Sequence, residues 1–408
     1  MEAFFRTFEQ MVADRPRKGF IRRSLMDEIG DDEKLVCIRG ERGVGKTRFL
    51  LDFSEEKCRG KVCLYASLNY FYFSVHTLYS FASDFVHRYK GEVLLLDQIY
   101  KYPEWSGELS KIHRDFPLLR IIFTTSSVMT LSSDLEALKG EVAVYRLAGF
   151  SFREYINLRT GLNLGALTLQ ELLSSAKSCA AIIRQEVQPQ DFLSPYLYGG
   201  GYYPPTAGAY TKSGGSLSDE ELIKHLNMLL EVDVVYIRQI GPGYLPKLRQ
   251  LLYILAEDAD SPKPNISKLS DQLGISRATV MNYLRYLSDA GLIKLLFKGS
   301  DATNSKKADA VYLGNPNILS ALTLESPEEG TMKATFLLSH LSGTGIEVSV
   351  PPVSGHTTHA FRTDDGATLH IEEPDLRKQE SPGNYLIVDR LTQGRDQEIP
   401  LWLFGFLY

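Results

Sequence analysis

The chain has 408 residues, of which 44% are hydrophobic and 23% are charged, and its formal net charge is −5. This length and composition indicate a globular protein of several domains, and the charge excludes nucleic-acid binding driven by overall charge, so any such site must be a local basic patch. We expect a cytoplasmic protein without a signal peptide or a membrane span, whose four cysteines are reduced thiols rather than metal ligands.

The first clear motif is a phosphate-binding loop. Residues 40–47 read Gly-Glu-Arg-Gly-Val-Gly-Lys-Thr, which is G-x-x-x-x-G-K-T, between an apolar strand (35–38) and a helical stretch (48–53). This strand–loop–helix context is typical of a functional P-loop. The motif predicts that a nucleotide is bound by a set of residues at the loop and the start of the helix: Gly40, Gly43, Val44, Gly45, Lys46, Thr47 and Arg48.

Four further apolar runs follow at intervals that leave room for crossover helices: 62–66, 93–97, 119–124 and 142–147. Together with the strand before the loop they predict a parallel sheet of five strands. Val93–Asp97 has the pattern of a Walker B strand, and Asp97 with Thr47 is expected to hold Mg²⁺. Ser126, at the carboxyl end of the next strand, is a candidate for contacting the terminal phosphate or the attacking water.

From residue 156 to 246 the pattern is helical, which predicts a lid or connector. Residues 247–313 then have the spacing of three helices (247–257, 266–273 and about 277–290) followed by two strands (292–297 and 310–313), which predicts a winged helix. Ser276 is the expected N-cap of the third helix, and its buried face is expected to consist of Val280, Leu284 and Leu287. Candidates for DNA binding lie on the third helix and in the wing: Arg277, Asn282, Arg285, Lys306 and Lys307. The alternative, a winged helix that serves only as a packing module, stays open. The remaining residues, 314–408, mix strands and helices and end in an apolar segment, which is usually buried.

These motifs resemble those of prokaryotic AAA+-type ATPases that join a P-loop core to a winged helix and a C-terminal restriction-endonuclease-like domain. The resemblance rests on the phosphate-binding loop, on Leu95–Trp105, on the Ser-Phe-Arg-Glu-Tyr motif at 151–155, on Gly274–Val280 and on the ending 399–408. It implies an α/β protein with a P-loop NTPase core containing a parallel five-stranded sheet (1–155), a helical lid (156–246), a winged-helix domain (247–313) and a C-terminal α+β restriction-endonuclease-like domain (314–408).

Three departures from that family pattern bear on activity. Gln98 stands where the family has the Walker B glutamate, and an amide cannot accept a proton from water. Residues 139–142 lack the arginines that the family tends to carry there. In the C-terminal domain, Ala360 replaces an aspartate, and Pro374 interrupts the segment that carries Glu372, Glu373, Asp375 and Lys378, so we expect no nuclease activity.

The function expected from these features is binding of ATP with Mg²⁺ and slow hydrolysis, the nucleotide state controlling a winged-helix arm that binds double-stranded DNA. Two alternatives remain open. One is an active ATPase motor that remodels DNA or protein, and the other is a non-catalytic DNA-binding regulator with a structural nucleotide. A protein partner or a second copy of the chain is a candidate source of an arginine finger, and no membrane partner is expected.

Overall fold

The structure is a computed structural model and describes residues 1–15, 21–128, 138, 140–203, 218–236, 240–260, 262–299, 307–323, 327–351, 359–371, 383–394 and 397–408. The chain divides into two compact units, Met1–Gly149 and Phe150–Tyr408. This division falls shortly before the boundary at residue 155 that the sequence suggested. None of the helices in the described ranges is long and apolar enough to span a membrane.

The first unit contains the predicted parallel sheet. Its strands lie in the order β2–β3–β4–β1–β5 and all pair in parallel. The strands are β1 (Leu35–Gly40), β2 (Cys63–Ser67), β3 (Val93–Asp97), β4 (Arg120–Ser126) and β5 (Ala143–Arg146). The helices are α1 (Glu2–Ala13), α2 (Leu25–Glu28), α3 (Lys46–Lys57), α4 (Leu78–Tyr89) and α5 (Trp105–Asp115).

The sheet forms because its central strands are apolar on both faces. Every residue of β3 and β4 is buried, as expected for parallel strands covered by helices on both sides. Helix α3 packs Phe49, Leu50 and Phe53 into the core beside Val36 and Ile38 of β1. The carboxyl ends of the strands therefore meet at one edge, at which the loop before α3 also lies.

The Ser-Phe-Arg-Glu-Tyr motif forms the start of the first helix of the second unit. Ser151 and Glu154 form a reciprocal capping box at its first turn, which fixes where the helix begins. The helices of this unit are α6 (Phe152–Thr160), α7 (Leu169–Glu186), α8 (Gln190–Tyr198), α9 (Asp219–Met228), α10 (Leu245–Glu257), α11 (Ile266–Leu273), α12 (Arg277–Asp289), α13 (Pro316–Leu322) and α14 (Glu329–Gly343), and a π-helix (Leu229–Tyr236) follows α9.

Helices α10, α11 and α12 and an antiparallel strand pair are the elements that the sequence predicted for a winged helix. The two strands are β6 (Ile293–Leu296) and β7 (Ala310–Leu313). Val280, Leu284 and Leu287 of α12 are buried, as their spacing predicted. Ser276 accepts a hydrogen bond from the N–H of Thr279 and caps this helix.

The last part of the chain forms a mixed sheet of five strands in the order β12–β11–β10–β9–β8. Strands β8 to β10 are antiparallel neighbours, whereas β10 to β12 pair in parallel. The strands are β8 (Val348–Ser349), β9 (Ala360–Thr363), β10 (Thr368–Ile371), β11 (Asn384–Val388) and β12 (Glu398–Pro400). The apolar ending folds into a 3₁₀ helix, Leu401–Phe406, in which every residue is buried, so it is part of the core of this unit.

Candidate nucleotide-binding site

The loop between β1 and α3 has a backbone suited to holding phosphate groups. Gly43 and Gly45 have φ angles of 85° and 95°, which residues with a side chain rarely adopt. Gly45 is the N-cap of α3, and no side chain caps this helix end. The first N–H groups of α3 and the positive end of its dipole therefore lie at the loop. This geometry fits the roles predicted for Gly43, Val44 and Gly45.

Gly40, the first glycine of the predicted loop, does not have a positive φ angle, and the space around its Cα atom explains why a glycine stands there. A Cβ atom at residue 40 would lie 2.3 Å from the carbonyl oxygen of Leu147. The N–H of Leu147 donates to the carbonyl oxygen of Arg39 at 2.8 Å, which holds the two segments together. Gly40 thus permits the close approach of the chain after β5 to the end of β1.

Lys46 and Thr47 are half-buried at the start of α3. The Nζ atom of Lys46 donates to the carbonyl oxygens of Gly40 and Glu41, each at 2.7 Å. These bonds keep the ammonium group against the loop, within the region that a phosphate chain would enter. Arg48, by contrast, donates from Nε to Asp52 at 3.0 Å, so its side chain lies along α3, and its main chain is part of the first turn of that helix.

Asp97 is the centre of a cluster of hydroxyl groups at the carboxyl edge of the sheet, and only 1% of the residue is exposed. Thr47 donates to its Oδ2 atom at 2.7 Å and Tyr65 donates to the same atom at 2.9 Å, while Thr124 donates to Oδ1. Burial, followed by the charge of Asp97, raises the pKa of Tyr65, so the phenol stays protonated and donates. The sequence had indicated Asp97 and Thr47, but not Tyr65 or the contact from Thr124.

These groups fit a magnesium ion. Mg²⁺ prefers oxygen donors at about 2.0–2.1 Å and usually keeps several water ligands. The Thr47 hydroxyl and the Asp97 carboxylate provide two such donors side by side, next to the loop that would hold the phosphates. The residues therefore fit ATP with Mg²⁺, with Thr47 and Asp97 nearest to the metal.

Gln98 has a left-handed backbone conformation, with φ 56° and ψ 49°. For a residue with a side chain this costs about 1–2 kcal/mol. Its N–H donates to the Oγ1 of Thr124 at 2.9 Å and to the Oδ1 of Asp97 at 3.1 Å, which offsets part of that cost. The chain is thus forced to turn sharply directly after Asp97, and such strain is most often found at functional sites.

Ser126 lies at the same edge as the loop. It is paired in register with Gly40 across β4 and β1, and it is 2% exposed. Its Oγ atom accepts a hydrogen bond from the N–H of Val128 at 3.4 Å. The strand order places it beside the start of the phosphate-binding loop.

Two arginines that the sequence reasoning missed connect the loop to its surroundings. Arg23, which is 7% exposed, donates to the carbonyl oxygens of Val44 at 3.1 Å and Ala148 at 2.6 Å. Arg42 donates from Nη2 to the hydroxyl of Tyr100 at 3.2 Å. No sequence signal could have assigned Arg23, because its partners are distant in the chain and are main-chain atoms.

The candidate DNA-binding residues lie on and near α12. Arg277 and Asn282 are exposed, Arg285 is half-buried, and Lys307 is exposed, whereas Lys306 lies outside the described residues. A cavity of about 550 Å³ in the same three-helix region is lined in part by Lys263, Lys268 and Lys307. Lys268 forms an ion pair with Asp258 at 3.0 Å, so the lining carries three positive charges and one negative charge.

The residues considered for nuclease chemistry in the C-terminal domain lie mostly outside the described residues. These are Glu372, Glu373, Asp375 and Lys378, together with Pro374. Ala360 lies in β9, where it is buried. Among the residues that the structure describes, no group of three or more His, Cys, Asp or Glu side chains could hold a metal ion.

Residues 32–156 match the family model described as an AAA domain, which contains the loop, Asp97, Gln98 and Ser126. Residues 191–329 match a domain of unknown function (DUF8612), which contains α10 to α12 and β6 and β7. No curated protein matches the sequence.

Among solved structures, the chain is similar to the Aeropyrum pernix ORC1 protein in complex with DNA, with 15% identity over 79% of this chain and 91% of that one and a TM-score of 0.30. It is also similar to PCH-2 from C. elegans, with 14% identity over 71% and 67% of the two chains and a TM-score of 0.25. A Pif1 helicase in a structure on forked double-stranded DNA has 18% identity over 39% of this chain, with a TM-score of 0.24, and this chain spans 52% of its length. Similarity this weak carries no functional argument.

Proposed function

We propose that the protein binds ATP with Mg²⁺ at the loop 40–47 and hydrolyses it slowly, a proposal supported by the match of residues 32–156 to the model of an AAA domain. One observation carries the proposal, which is the 2.7 Å hydrogen bond between the Thr47 hydroxyl and the Asp97 carboxylate. It joins the end of the phosphate-binding loop to the end of β3, and it brings together the two side chains that nucleotide-bound magnesium needs.

Each residue of the site has a separate task in binding. The main-chain N–H groups around Gly43 and Gly45 donate to phosphate oxygens. Lys46 exchanges its carbonyl partners for the β- and γ-phosphates, and Thr47 and Asp97 hold Mg²⁺, which when bound draws negative charge from the phosphate oxygens. Tyr65 and Thr124 orient the carboxylate of Asp97 by donating hydrogen bonds to it.

Slow hydrolysis follows from the chemistry of Gln98. Its amide is able to hydrogen-bond a water molecule and orient it, as is Ser126, but neither side chain takes up a proton at neutral pH. Loss of a general base costs about 10²–10⁴-fold in rate. Affinity for the nucleotide is much less affected, because an amide in place of a carboxylate also removes a negative charge near the phosphates.

Phosphate release measured with the wild-type chain and with Lys46→Ala, Gln98→Glu and Gln98→Asn tests the proposal. We expect a wild-type rate well below the common enzyme range of about 1 per second, and a rise of at least tenfold in Gln98→Glu. Gln98→Asn is the matched control, because it keeps the amide and should stay slow. A wild-type rate of about 1 per second or more, abolished by Lys46→Ala, would instead identify an ATPase motor.

A second candidate function is binding of double-stranded DNA by α12 and the adjoining strands. The observation that favours it is the exposure of Arg277, at the start of α12, and of Asn282, on the side of α12 away from its buried Leu284 and Leu287. Arg and Asn are well suited to contacting base edges. The cavity lined by Lys263, Lys268 and Lys307 lies in the same region and provides positive charge for phosphates.

Fluorescence anisotropy with a labelled duplex over a series of salt concentrations tests this second function. Arg277→Ala combined with Arg285→Ala should weaken binding and lower the magnitude of the salt slope by about 2. Lys177→Ala combined with Lys224→Ala is the control for loss of two charges elsewhere in the unit. If the wild-type chain has no affinity for duplex DNA at low salt, the three-helix region is a packing module.

The two activities are proposed to be linked, so that the nucleotide state controls how the winged-helix arm engages DNA. Linkage requires that ATP and DNA alter each other's affinity by the same factor. A partner protein or a second copy of the chain would supply an arginine finger for faster turnover. Measuring phosphate release with and without DNA, at several protein concentrations, tests both parts, since a second copy makes the rate per chain concentration-dependent.

A further inference from the structure

Arg42 occupies a particular position in the phosphate-binding loop. It follows Glu41 and directly precedes Gly43, at which the left-handed turn of the loop begins. The side chain is half-buried and extends out of the loop to the Tyr100 hydroxyl, to which Nη2 donates at 3.2 Å. The G-x-x-x-x-G-K-T pattern leaves residue 42 unspecified, so the motif alone assigns it no role.

Tyr100 belongs to the segment that follows the magnesium-binding carboxylate. It lies in a 3₁₀ helix, Ile99–Lys101, which starts directly after Gln98. The left-handed backbone of Gln98 turns the chain there, so Tyr100 stays close to the edge of the sheet. The Nζ atom of Lys101 lies over the Tyr100 ring, 5.7 Å from its centroid. Two cationic side chains, Arg42 and Lys101, thus contact Tyr100.

The contact between Arg42 and Tyr100 joins two segments that meet at the site. One side is the loop with Lys46 and Thr47, and the other is the end of β3 with Asp97 and the segment that follows it. Thr47 and Asp97 join the two sides at 2.7 Å, and Arg42 joins them a second time through Tyr100. For a nucleotide bound with its phosphates on the loop and its magnesium ion at Thr47 and Asp97, we therefore expect the terminal phosphate to come within reach of the Arg42 guanidinium.

We propose that Arg42 binds the terminal phosphate of a nucleoside triphosphate, so that the site selects the triphosphate over the diphosphate. This inference rests on the proposed function. The guanidinium exchanges a neutral phenol for an anionic phosphate oxygen. Hydrogen bonds with charge on both partners are about twice as strong as neutral ones, and Arg presents its donors as a planar fork that matches phosphate oxygens. A diphosphate offers no group at that position, so Arg42 stays with Tyr100.

A purely structural role for the same contact makes a different prediction. If Arg42 and Tyr100 only hold the loop against the segment after Gln98, removal of either side chain should weaken the triphosphate and the diphosphate equally. If Arg42 binds the terminal phosphate, loss of its side chain weakens the triphosphate alone. Loss of the Tyr100 hydroxyl then leaves triphosphate affinity unchanged or higher, because the guanidinium has lost a competing partner.

Calorimetry with Mg²⁺-ADP and with a non-hydrolysable Mg²⁺-ATP analogue tests the inference on the full chain and its variants. In Arg42→Ala we expect the ratio of triphosphate to diphosphate affinity to fall by about tenfold or more, with ADP affinity within about threefold of wild type. Arg42→Lys should recover only part of the ratio, because its ammonium lacks the fork. Tyr100→Phe should keep the wild-type ratio or raise it, and Arg88→Ala, which alters an exposed arginine of α4, should leave both affinities unchanged.

Equal losses for both nucleotides in Arg42→Ala, or an unchanged ratio, would overturn the assignment of Arg42. A wild-type chain that binds neither nucleotide would instead overturn the proposed function. The two failures are therefore distinguishable in one set of titrations.

Discussion

Two regions of this molecule bury many polar side chains, and they do so in different ways. In the first unit, hydroxyl groups surround Asp97 at the carboxyl edge of the sheet. In the second unit, Asn317 and His340 lie in the interior, each fully buried. Burial and polarity are therefore common to both regions and do not by themselves indicate which one binds a ligand.

The two regions differ in the kind of group that forms hydrogen bonds with the buried polar side chains. Asn317 donates to the carbonyl oxygens of Tyr196 and Leu197, each at 2.9 Å, and accepts from the N–H of Tyr202 at 2.7 Å. All of these are main-chain groups at the end of α8 and just beyond it, so the side chain replaces backbone pairing. Around Asp97, within the described part of the chain, three of the four donors are side-chain hydroxyl groups, the fourth being the N–H of Gln98, and the neighbouring Thr47 is only half-buried. Polar groups that satisfy backbone hold a fold together, whereas polar groups gathered at an accessible edge are available to a ligand.

The largest expected effect is the loss of nucleotide binding in the first region, with no change in the stability of the second. Lys46→Ala should lower nucleotide affinity by about 10³-fold, because the ammonium is the main charge facing the phosphates. The unfolding of residues 150–408 should stay unchanged. The chain has only two tryptophans, Trp105 in the first unit and Trp402 in the second. Urea unfolding in a Trp105→Phe background thus reports the second unit alone. A lower free energy of unfolding of the second unit in Lys46→Ala would show that the stability of the second region depends on the first.

The next largest expected effect is a loss of stability in the second region. Asn317→Ala leaves two carbonyl groups and one N–H without their partner, and each buried unsatisfied group costs about 1–3 kcal/mol. We expect the free energy of unfolding of the second unit to fall by about 3 kcal/mol, with the fluorescence of Trp402 as the measurement. Asn163→Ala, at an exposed asparagine of the same unit, is the control. Nucleotide affinity should be unchanged, and a fall in it would contradict the distinction drawn here.

A smaller effect concerns pH. Burial lowers the pKa of His340 to about 4, with a small further lowering by Lys294 and an opposing effect of the Phe336 carbonyl. Its Nε2 accepts from the N–H of Phe152 at 3.1 Å, so a proton there would face another donor. Because the folded pKa lies below the ordinary value of 6.5, the unfolded chain takes up the proton first as the pH falls. Stability is fully present above pH 6.5 and is lost between 6.5 and about 4.

Between pH 7 and 5.5 the second unit should therefore lose about 1 kcal/mol from this histidine. Urea unfolding followed through Trp402 at the two pH values measures it. His340→Gln removes the titrating group and should reduce the difference by that amount. A pH dependence that is the same in both chains would exclude His340 as its source.

The smallest expected effect tests whether the left-handed backbone of Gln98 destabilises the first region. Gln98→Gly should raise the free energy of unfolding of the first unit by about 0.5 kcal/mol, because relief of the left-handed strain exceeds the larger loss of chain entropy for glycine. The fluorescence of Trp105 in a Trp402→Phe background measures this. Gln98→Ala keeps the strain and should give no gain. If it stabilises as much as glycine does, the effect comes from the side chain and not from the backbone.

The sequence by itself determined those features that depend on local chemistry. The glycines and Lys-Thr of the loop, the apolar run ending in Asp97, and helix α11 at 266–273 were all identifiable because backbone freedom, burial and helical spacing act over a few residues. Ser276 as a helix cap and Val280, Leu284 and Leu287 as a buried face belong to the same class.

Only the tertiary structure decided which distant groups meet at the site. The strand order puts β1 between β4 and β5, and it is this order that places Ser126 beside Gly40 and the Leu147 carbonyl against it. Tyr65 meets Asp97 because β2 pairs with β3 in register, and Arg23 reaches Val44 and Ala148 across the unit. No pattern of a few residues encodes these contacts, because they depend on how crossover connections arrange strands that are far apart in the chain.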